Sequence, residues 1–205
     1  MQKELFQTDQ YQSIPHGTSF LKANIFALVY PLPLVIMYVI GYFAYRLGTG
    51  QEVFVTSELL DNSLIWLVLF YALLLVAVII HELTHALVFL RHSENGWKSV
   101  KFGIKSLTPY CHCEEVISLN AFRHACLAPL WSLCLPLVLI SLFVGNSLFF
   151  LITLTMIFGS GGDLWIVFVT RKYNGKTTYA WDMIDEVGCE VYVPKNTEQS
   201  IENPQ

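Results

Sequence analysis

The chain has 205 residues, of which 54% are hydrophobic and only 14% are charged, and its mean hydropathy is +0.51. A chain this apolar is not expected to fold as a water-soluble domain, so the composition indicates an integral membrane protein. Nothing in the formal net charge of −4 suggests a nucleic-acid partner.

Four apolar stretches are long enough to cross a hydrocarbon core of about 30 Å, which takes about 20 helical residues. They cover residues 23–45, 64–90, 125–144 and 147–170. We expect an N-terminal cytoplasmic segment at 1–22, one membrane domain at 23–195 and a disordered tail at 196–205. The first stretch is expected to be a retained span, because no small-residue cleavage site of a signal peptide follows it.

Lysine and arginine positions predict the orientation, because positive residues are retained on the cytoplasmic side of short loops. If the N-terminus is inside, eleven of the twelve basic residues lie on the cytoplasmic side and only Arg46 lies outside. We therefore expect a multi-pass protein with both termini in the cytoplasm. The five cysteines then lie in cytoplasmic segments or in the third span, so no disulfide framework is expected.

The longest loop between spans contains a candidate β-hairpin. Its sequence V-K-F-G-I-K at 100–105 alternates apolar with other residues, which is the period of a strand, and Y-C-H-C-E-E-V-I-S could return as a second strand. Ser118 is then predicted to cap the helix that leads into the third span. The predicted fold class is an all-α membrane protein, with four transmembrane helices and a small cytoplasmic β-hairpin between helices 2 and 3. Residues 187–195, V-G-C-E-V-Y-V-P-K, also resemble a short strand.

One segment of the second span carries polar residues where apolar ones are expected: V-A-V-I-I-H-E-L-T-H-A-L-V-F-L, residues 76–90. An acidic side chain near the bilayer centre costs about 2.5 kcal/mol or more on insertion scales. His81, Glu82 and His85 form H-E-x-x-H, and positions i and i+4 lie on one face of a helix. Both imidazoles can therefore bind one Zn²⁺, with the glutamate beside its open coordination position. We predict His81 and His85 as zinc ligands and Glu82 as the general base.

A catalytic zinc usually takes a third protein ligand. Asp163, in the fourth-span sequence F-G-S-G-G-D-L-W-I-V-F, is the only acid within the other three spans. By helical rise, His81 lies about 15 Å from the cytoplasmic boundary and Asp163 about 12 Å, so the two sites lie at matching depth. The adjacent glycines, with Ser160, would let the fourth helix loosen or approach the second, although ordinary small-residue packing also explains them. Asp163 is the predicted third ligand.

The chain resembles the family of bacterial membrane proteins classed as "putative zincin peptidase" over about residues 30–194. The resemblance rests on H-E-L-T-H in the second span, the hairpin-bearing loop and G-G-D in the fourth span. More loosely, the chain is similar to site-2 proteases, which are intramembrane zinc metalloproteases, although it has G-D-L-W where they carry L-D-G and A-P-L-W-S where they carry G-P-x-x-N. The resemblance implies a zinc metalloendopeptidase of the bacterial cytoplasmic membrane. Its substrates would be membrane or membrane-associated proteins, cleaved near the cytoplasmic face.

Other interpretations of these residues stay open. A non-proteolytic membrane protein could bind zinc for a structural or accessory role, and a transporter could use the same groups as a relay, although no inverted repeat is present. A second metal site is conceivable in Y-C-H-C-E at 110–114, but C-x-C is tighter than the usual spacing, so we expect a reduced strand near solvent. Asp182, Asp185 and Glu186 are interpreted as a solvated face of the tail.

Overall fold

The computed structural model describes residues 3–6, 10–55, 62–105, 108–183 and 187–195. Most of these residues are helical. The α-helices among them are α1 (Phe20–Val29), α2 (Leu32–Gly48), α3 (Ser63–His92), α4 (Leu119–Pro129), α5 (Leu135–Val144), α6 (Ser147–Gly159) and α7 (Gly161–Thr170). A π-helical segment, Leu130–Cys134, joins α4 to α5 without a break. Short 3₁₀ turns lie at Lys3–Phe6 and Gly96–Ser99.

Four helical stretches are long and apolar enough to cross a membrane, which is compatible with an integral membrane protein. They are Ile25–Gly48, Ser63–His92, Leu119–Val144 and Ser147–Thr170. Each overlaps one of the four predicted spans, and the third begins six residues earlier than expected, at the helix that Ser118 caps through the N–H of Ala121. Proline explains the break in the first stretch, since α1 ends before Pro31 and α2 begins after it.

Six strands lie in the described residues, so the predicted all-α class is incomplete. They are β1 (Tyr11–Thr18), β2 (Val100–Lys105), β3 (Thr108–Cys113), β4 (Ile117–Ser118), β5 (Tyr179–Asp182) and β6 (Val187–Pro194). An antiparallel sheet has the order β1-β6-β5-β4, and β2 pairs with β3 in a separate two-stranded sheet. The sheet therefore joins the N-terminal segment, the loop after α3 and the C-terminal tail at one end of the helices.

The hairpin is formed as the alternation predicts. Val100 pairs with Cys113 and Lys105 with Thr108, so β2 covers the predicted strand 100–105. The second strand differs from its prediction, because β3 begins at Thr108 and ends at Cys113, before the end of Y-C-H-C-E-E-V-I-S; residues 106 and 107 lie outside the described residues. Residues 1–22, predicted only as a cytoplasmic segment, include β1, which pairs with β6 along its whole length. The tail at 196–205 also lies outside the described residues.

The fourth helical stretch is interrupted at Ser160, where α6 ends and α7 begins. The expected loosening is therefore present, but the close approach is to α1 and not to α3. A Cβ built on Gly161 would lie 2.1 Å from the backbone oxygen of Ala27, whereas one built on Gly162 would meet nothing within 4 Å. Gly161 thus sets how closely α7, and Asp163 with it, packs against the first helix.

Glu115 connects the end of α3 to the hairpin exit. Its carboxylate accepts hydrogen bonds from the backbone N–H groups of Glu94 and Asn95, both at 2.9 Å, and from the hydroxyl of Ser99. Burial by itself would raise the pKa of Glu115, but these hydrogen bonds more than offset it and hold the pKa well below its usual range. The ionised carboxylate therefore stabilises the junction between the helices and the hairpin.

We expect Gly161→Ala to destabilise the protein by about 1–3 kcal/mol, because the added methyl group overlaps the backbone of α1. Gly162→Ala is the matched control, and its melting temperature should equal or exceed that of the wild type, since alanine favours a helix. Thermal unfolding of the detergent-solubilised variants measures both. Equal melting temperatures for the two variants would show that the α1–α7 contact does not limit stability.

Glu115→Gln should lower stability at neutral pH by about 2 kcal/mol, since the bonds to a charged acceptor are weakened. Because the folded-state pKa of Glu115 lies below the unfolded value of about 4.3, its contribution is present above that pH and is lost as the pH falls. The difference in melting temperature between wild type and variant should therefore shrink on acidification. A difference that stayed constant from neutral to acidic pH would contradict this assignment.

Candidate metal centre

Helices α3 and α7 bring the three predicted metal ligands together. The Nε2 atom of His81 lies 3.4 Å from Oδ2 of Asp163, and the Nε2 atom of His85 lies 3.6 Å from the same oxygen. One donor atom from each residue lies within 4.8 Å of the other two. Both histidines are buried, with 6% and 7% of their surfaces exposed. In the part of the chain that the structure describes, no other group of three such residues meets this spacing.

The fold of α3 explains how its polar residues face inward. Positions 81 and 85 are one helical turn apart and point into the bundle, whereas Ile79, Leu83 and Leu87 on the other faces are exposed by 40% or more. This is the pattern of a helix with apolar residues outward and polar residues inward, as expected for a span that surrounds a polar site. The same helix thus has a surface suited to lipid and an inner face suited to a metal.

A backbone contact sets the orientation of the His85 ring. Its Nδ1 atom lies 2.9 Å from the carbonyl oxygen of Ala125 in α4, and a carbonyl can only accept, so Nδ1 carries the proton. In the neutral ring, the lone pair of Nε2 is then directed at the Asp163 carboxylate, which is also an acceptor. Two acceptors that face each other in a buried site repel unless a proton or a metal ion lies between them. The arrangement of His85 and Asp163 therefore fits a metal ion.

The distances between donor atoms also fit zinc. Ligands about 2.0–2.1 Å from a tetrahedral Zn²⁺ lie about 3.3–3.4 Å from each other. The two nitrogen–oxygen separations, 3.4 and 3.6 Å, are close to that value and too long for strong hydrogen bonds. Two imidazoles and one carboxylate form a ligand set of the kind that catalytic zinc sites use. The Nδ1 atom of His81 has no hydrogen-bond partner among the described residues.

Glu82 borders the same cavity as the three candidate ligands. The cavity has a volume of about 390 Å³ and is lined by α3, β3, the junction of α6 with α7, and the β5 and β6 region. Glu82 is half-buried, and the backbone N–H of Cys111 in β3 interacts with its carboxylate. The cavity continues along α3 to Val78 and Leu74, about 10 Å below His81 by helical rise. The cavity therefore has a polar part at the candidate ligands and an apolar part along Val78 and Leu74.

Two lining residues were not predicted as part of the site. His112 of β3 is buried, and its Nδ1 atom lies 3.1 Å from Oδ2 of Asp182 in β5. The interpretation of Asp182 as a solvated tail residue is therefore wrong, because β5 packs against the hairpin. Burial raises the pKa of the Asp182 carboxyl group. Asp185 and Glu186 lie outside the described residues. No sequence signal relates positions 112 and 182, which are 70 residues apart.

The strand that carries Cys111 and Cys113 was predicted to be reduced and near solvent, and only the first of these holds. All five cysteines are free, but Cys113 is fully buried and Cys111 half-buried, so this strand is not a solvent-near one. Burial raises the pKa of both thiols, to about 11 for Cys113, and thereby disfavours the thiolates that bind metals. The second metal site that the sequence left open has no matching cluster among the described residues.

Four helical stretches are long enough to span a membrane, and two histidines and an aspartate lie among the helices at metal-ligand spacing. These are features of a zincin-type metallopeptidase. The model of the family described as "putative zincin peptidase" matches residues 74–178, half of the chain. The chain belongs to this family. The matched region includes His81, Glu82, His85 and Asp163. Comparison with curated proteins and with solved structures gave no match.

Purified wild-type protein should contain about one zinc per chain, measured by mass spectrometry of the metal after dialysis. His81→Ala, His85→Ala and Asp163→Ala should each lose most of it, because each removes one of the three converging donor atoms. Glu82→Gln should keep its zinc, since it leaves the donors in place. Retention of full zinc by Asp163→Ala would exclude the carboxylate as a ligand.

Proposed function

We propose that this protein is a zinc-dependent metalloendopeptidase embedded in the membrane, with His81, His85 and Asp163 as ligands and Glu82 as the general base. The observation that carries the proposal is the meeting of the three donor atoms at 3.4–3.6 Å in a cavity that Glu82 also lines. Membership of a family described as zincin peptidases supports it. The substrates would be peptide bonds of membrane or membrane-associated proteins near the cytoplasmic face.

In the proposed hydrolysis, the ion and the side chains of this chain have different roles. Zn²⁺, when bound, supplies a Lewis acid that polarises a carbonyl group and makes water more acidic. Glu82 takes the proton of the attacking water on its carboxylate and later delivers a proton to the leaving amine. Asp163 and the two histidines keep the centre fixed, and the Ala125 carbonyl keeps the His85 ring in its tautomer.

The hairpin supplies a surface for an extended substrate. β3 pairs with β2 on one side only in the described two-stranded sheet, and Pro109, Cys111 and His112 line the cavity. An extended peptide could add along this edge, where backbone groups hold the chain and alternate side chains enter the cavity. The apolar extension beside Val78 and Leu74 would receive an apolar side chain or segment.

The positions of the basic residues support the cytoplasmic orientation of this site. The strands β1 to β6 lie at the end of the bundle that carries both described termini, and eleven of the twelve lysines and arginines belong to segments at that end. Water would reach the centre from there. A non-proteolytic zinc protein is the alternative, and it differs from the proposal in needing no general base.

Glu82→Gln should abolish cleavage, lowering the rate by about 10²-fold or more, while zinc content stays at the wild-type level. The measurement compares fragments of membrane proteins in cells that carry wild type, Glu82→Gln or His81→Ala. A control is Glu52→Gln, which removes an exposed carboxylate outside the cavity. If Glu82→Gln kept the wild-type fragment pattern and only His81→Ala changed it, zinc would have a structural role and the peptidase proposal would fail.

A further inference from the structure

A second cavity lies between α2 and the third helical stretch, apart from the candidate metal centre. It has a volume of about 500 Å³, and none of the described residues that line it is charged. Tyr38, Tyr42 and Ile157 form a buried floor, whereas Met37 and Trp131 are 66% and 53% exposed. The cavity is therefore a groove with one open side, and we call it the α2–α5 groove.

The packing of the third stretch produces this groove. Its first part, α4, packs against α3 and α7, whereas α5 packs against α2 and α6, and the π-helical segment lies where the neighbours change. One end of the groove is closed, because Arg46 in the last turn of α2 donates a hydrogen bond of 3.3 Å to the carbonyl of Leu142. From Leu142 the groove extends to Trp131, which is about 16 Å by helical rise.

The polar groups of the groove floor already have partners within the protein. The hydroxyl of Tyr38 donates to Oγ of Ser141 at 2.9 Å, and that of Tyr42 donates to the backbone carbonyl of Val53 at 2.8 Å. A Cβ built on Gly41 would meet nothing within 4 Å, so this glycine leaves free space along the groove. Apolar walls with no polar group left to satisfy are suited to a hydrocarbon chain.

A cluster of basic residues lies beyond the Trp131 end of the groove. The ring of Trp131 stacks on that of His124, with centroids 5.8 Å apart and an interplanar angle of 20°. His124 precedes Trp131 by seven residues, about 10 Å nearer the strands by helical rise. His92, the last residue of α3, interacts electrostatically with His124 and with Arg91. All three basic residues are exposed, and no carboxylate in the described part of the chain pairs with them.

We propose that this protein binds an anionic phospholipid, with one acyl chain in the α2–α5 groove and the phosphate against Arg91, His92 and His124. A guanidinium group binds phosphate oxygens in a bidentate manner, and imidazole N–H groups donate to the same oxygens. The order along the helices is the one that a bilayer requires: basic residues at the boundary, a tryptophan at the interface and hydrocarbon deeper. The site requires the four helical stretches to span a membrane, and it is independent of the proposed peptidase function.

The headgroup is tested with full-length protein in a neutral detergent, to which dioleoyl phosphatidylglycerol or dioleoyl phosphatidylcholine is added. The two lipids have the same chains, but only the first has a net negative charge. Native mass spectrometry should show one phosphatidylglycerol bound per chain, about fivefold or more tighter than phosphatidylcholine. Arg91→Gln should weaken phosphatidylglycerol binding about fivefold and leave phosphatidylcholine binding unchanged, and His124→Phe, which keeps an aromatic ring beside Trp131, should act in the same direction. Lys176→Gln, which removes an exposed charge outside the cluster, should bind both lipids as the wild type does.

The acyl chain is tested by filling the groove. Gly41→Leu should weaken the binding of both lipids about tenfold or more, because the new side chain takes the place of the hydrocarbon. Gly48→Leu is the matched control, since Gly48 lies on the same helix in equally open surroundings but outside the groove. If Gly41→Leu does not fold, Met37→Trp replaces it, because it narrows the groove from an exposed position.

Four results would overturn the proposal. Equal affinity of the wild type for the two lipids would show that the basic cluster recognises no headgroup. Glycerol 3-phosphate, which has the phosphate without the chains, would assign the cluster to a free phosphate if it displaced phosphatidylglycerol at equal concentration. A wild type without bound lipid that formed a dimer, and lost it in Gly41→Leu, would assign the groove to a second copy of the chain. Unchanged lipid binding in a folded Gly41→Leu or Met37→Trp variant would exclude the groove.

Discussion

Electrostatic repulsion between buried acceptor atoms is the constraint on which the rest of this structure depends. The Ala125 carbonyl fixes the proton of His85 on Nδ1, and the Nε2 lone pair then faces the Asp163 carboxylate at 3.6 Å. In apolar surroundings that arrangement is unfavourable without a proton or a metal ion between the two groups, since neither group is solvated. A metal ion bound there would remove the repulsion and at the same time join α3 to α7. It would thereby stabilise the polar residues of these helices, which are costly in a bilayer.

The strands complete the site around that centre. Three segments that are far apart in the chain pair at one end of the helices, and their pairing carries Asp182 and the β6 region over the cavity. Glu115 attaches the hairpin to the end of α3 through four hydrogen bonds, so β3 and Glu82 are held in a fixed relation. The helices thus supply the candidate ligands and base, and the strands supply the wall across which a substrate would lie.

Some elements follow from local patterns and others do not. The four helical stretches, the strand β2 and the cap at Ser118 were predicted because each depends on residues close in sequence: apolar length, period-2 alternation or a side chain that reaches the next turn. The strands β1 and β5 were missed, and β4 was not separated from the predicted second strand of the hairpin, Y-C-H-C-E-E-V-I-S. β4 has two residues and β5 four, too few for a periodic signal, and β1 is strand only because β6 pairs with it.

The sequence by itself determined the set of candidate ligands and the matching levels at which they lie along their helices. H-E-x-x-H puts two imidazoles on one helical face through the 3.6-residue period, and the helical rise places Asp163 at a matching level. Only the tertiary structure decided which groups meet: it packs Gly161 against α1, turns His85 with the Ala125 carbonyl and brings Asp182 to His112. Such contacts join residues far apart in the chain. They depend on packing, for which local propensity and periodicity contain no information.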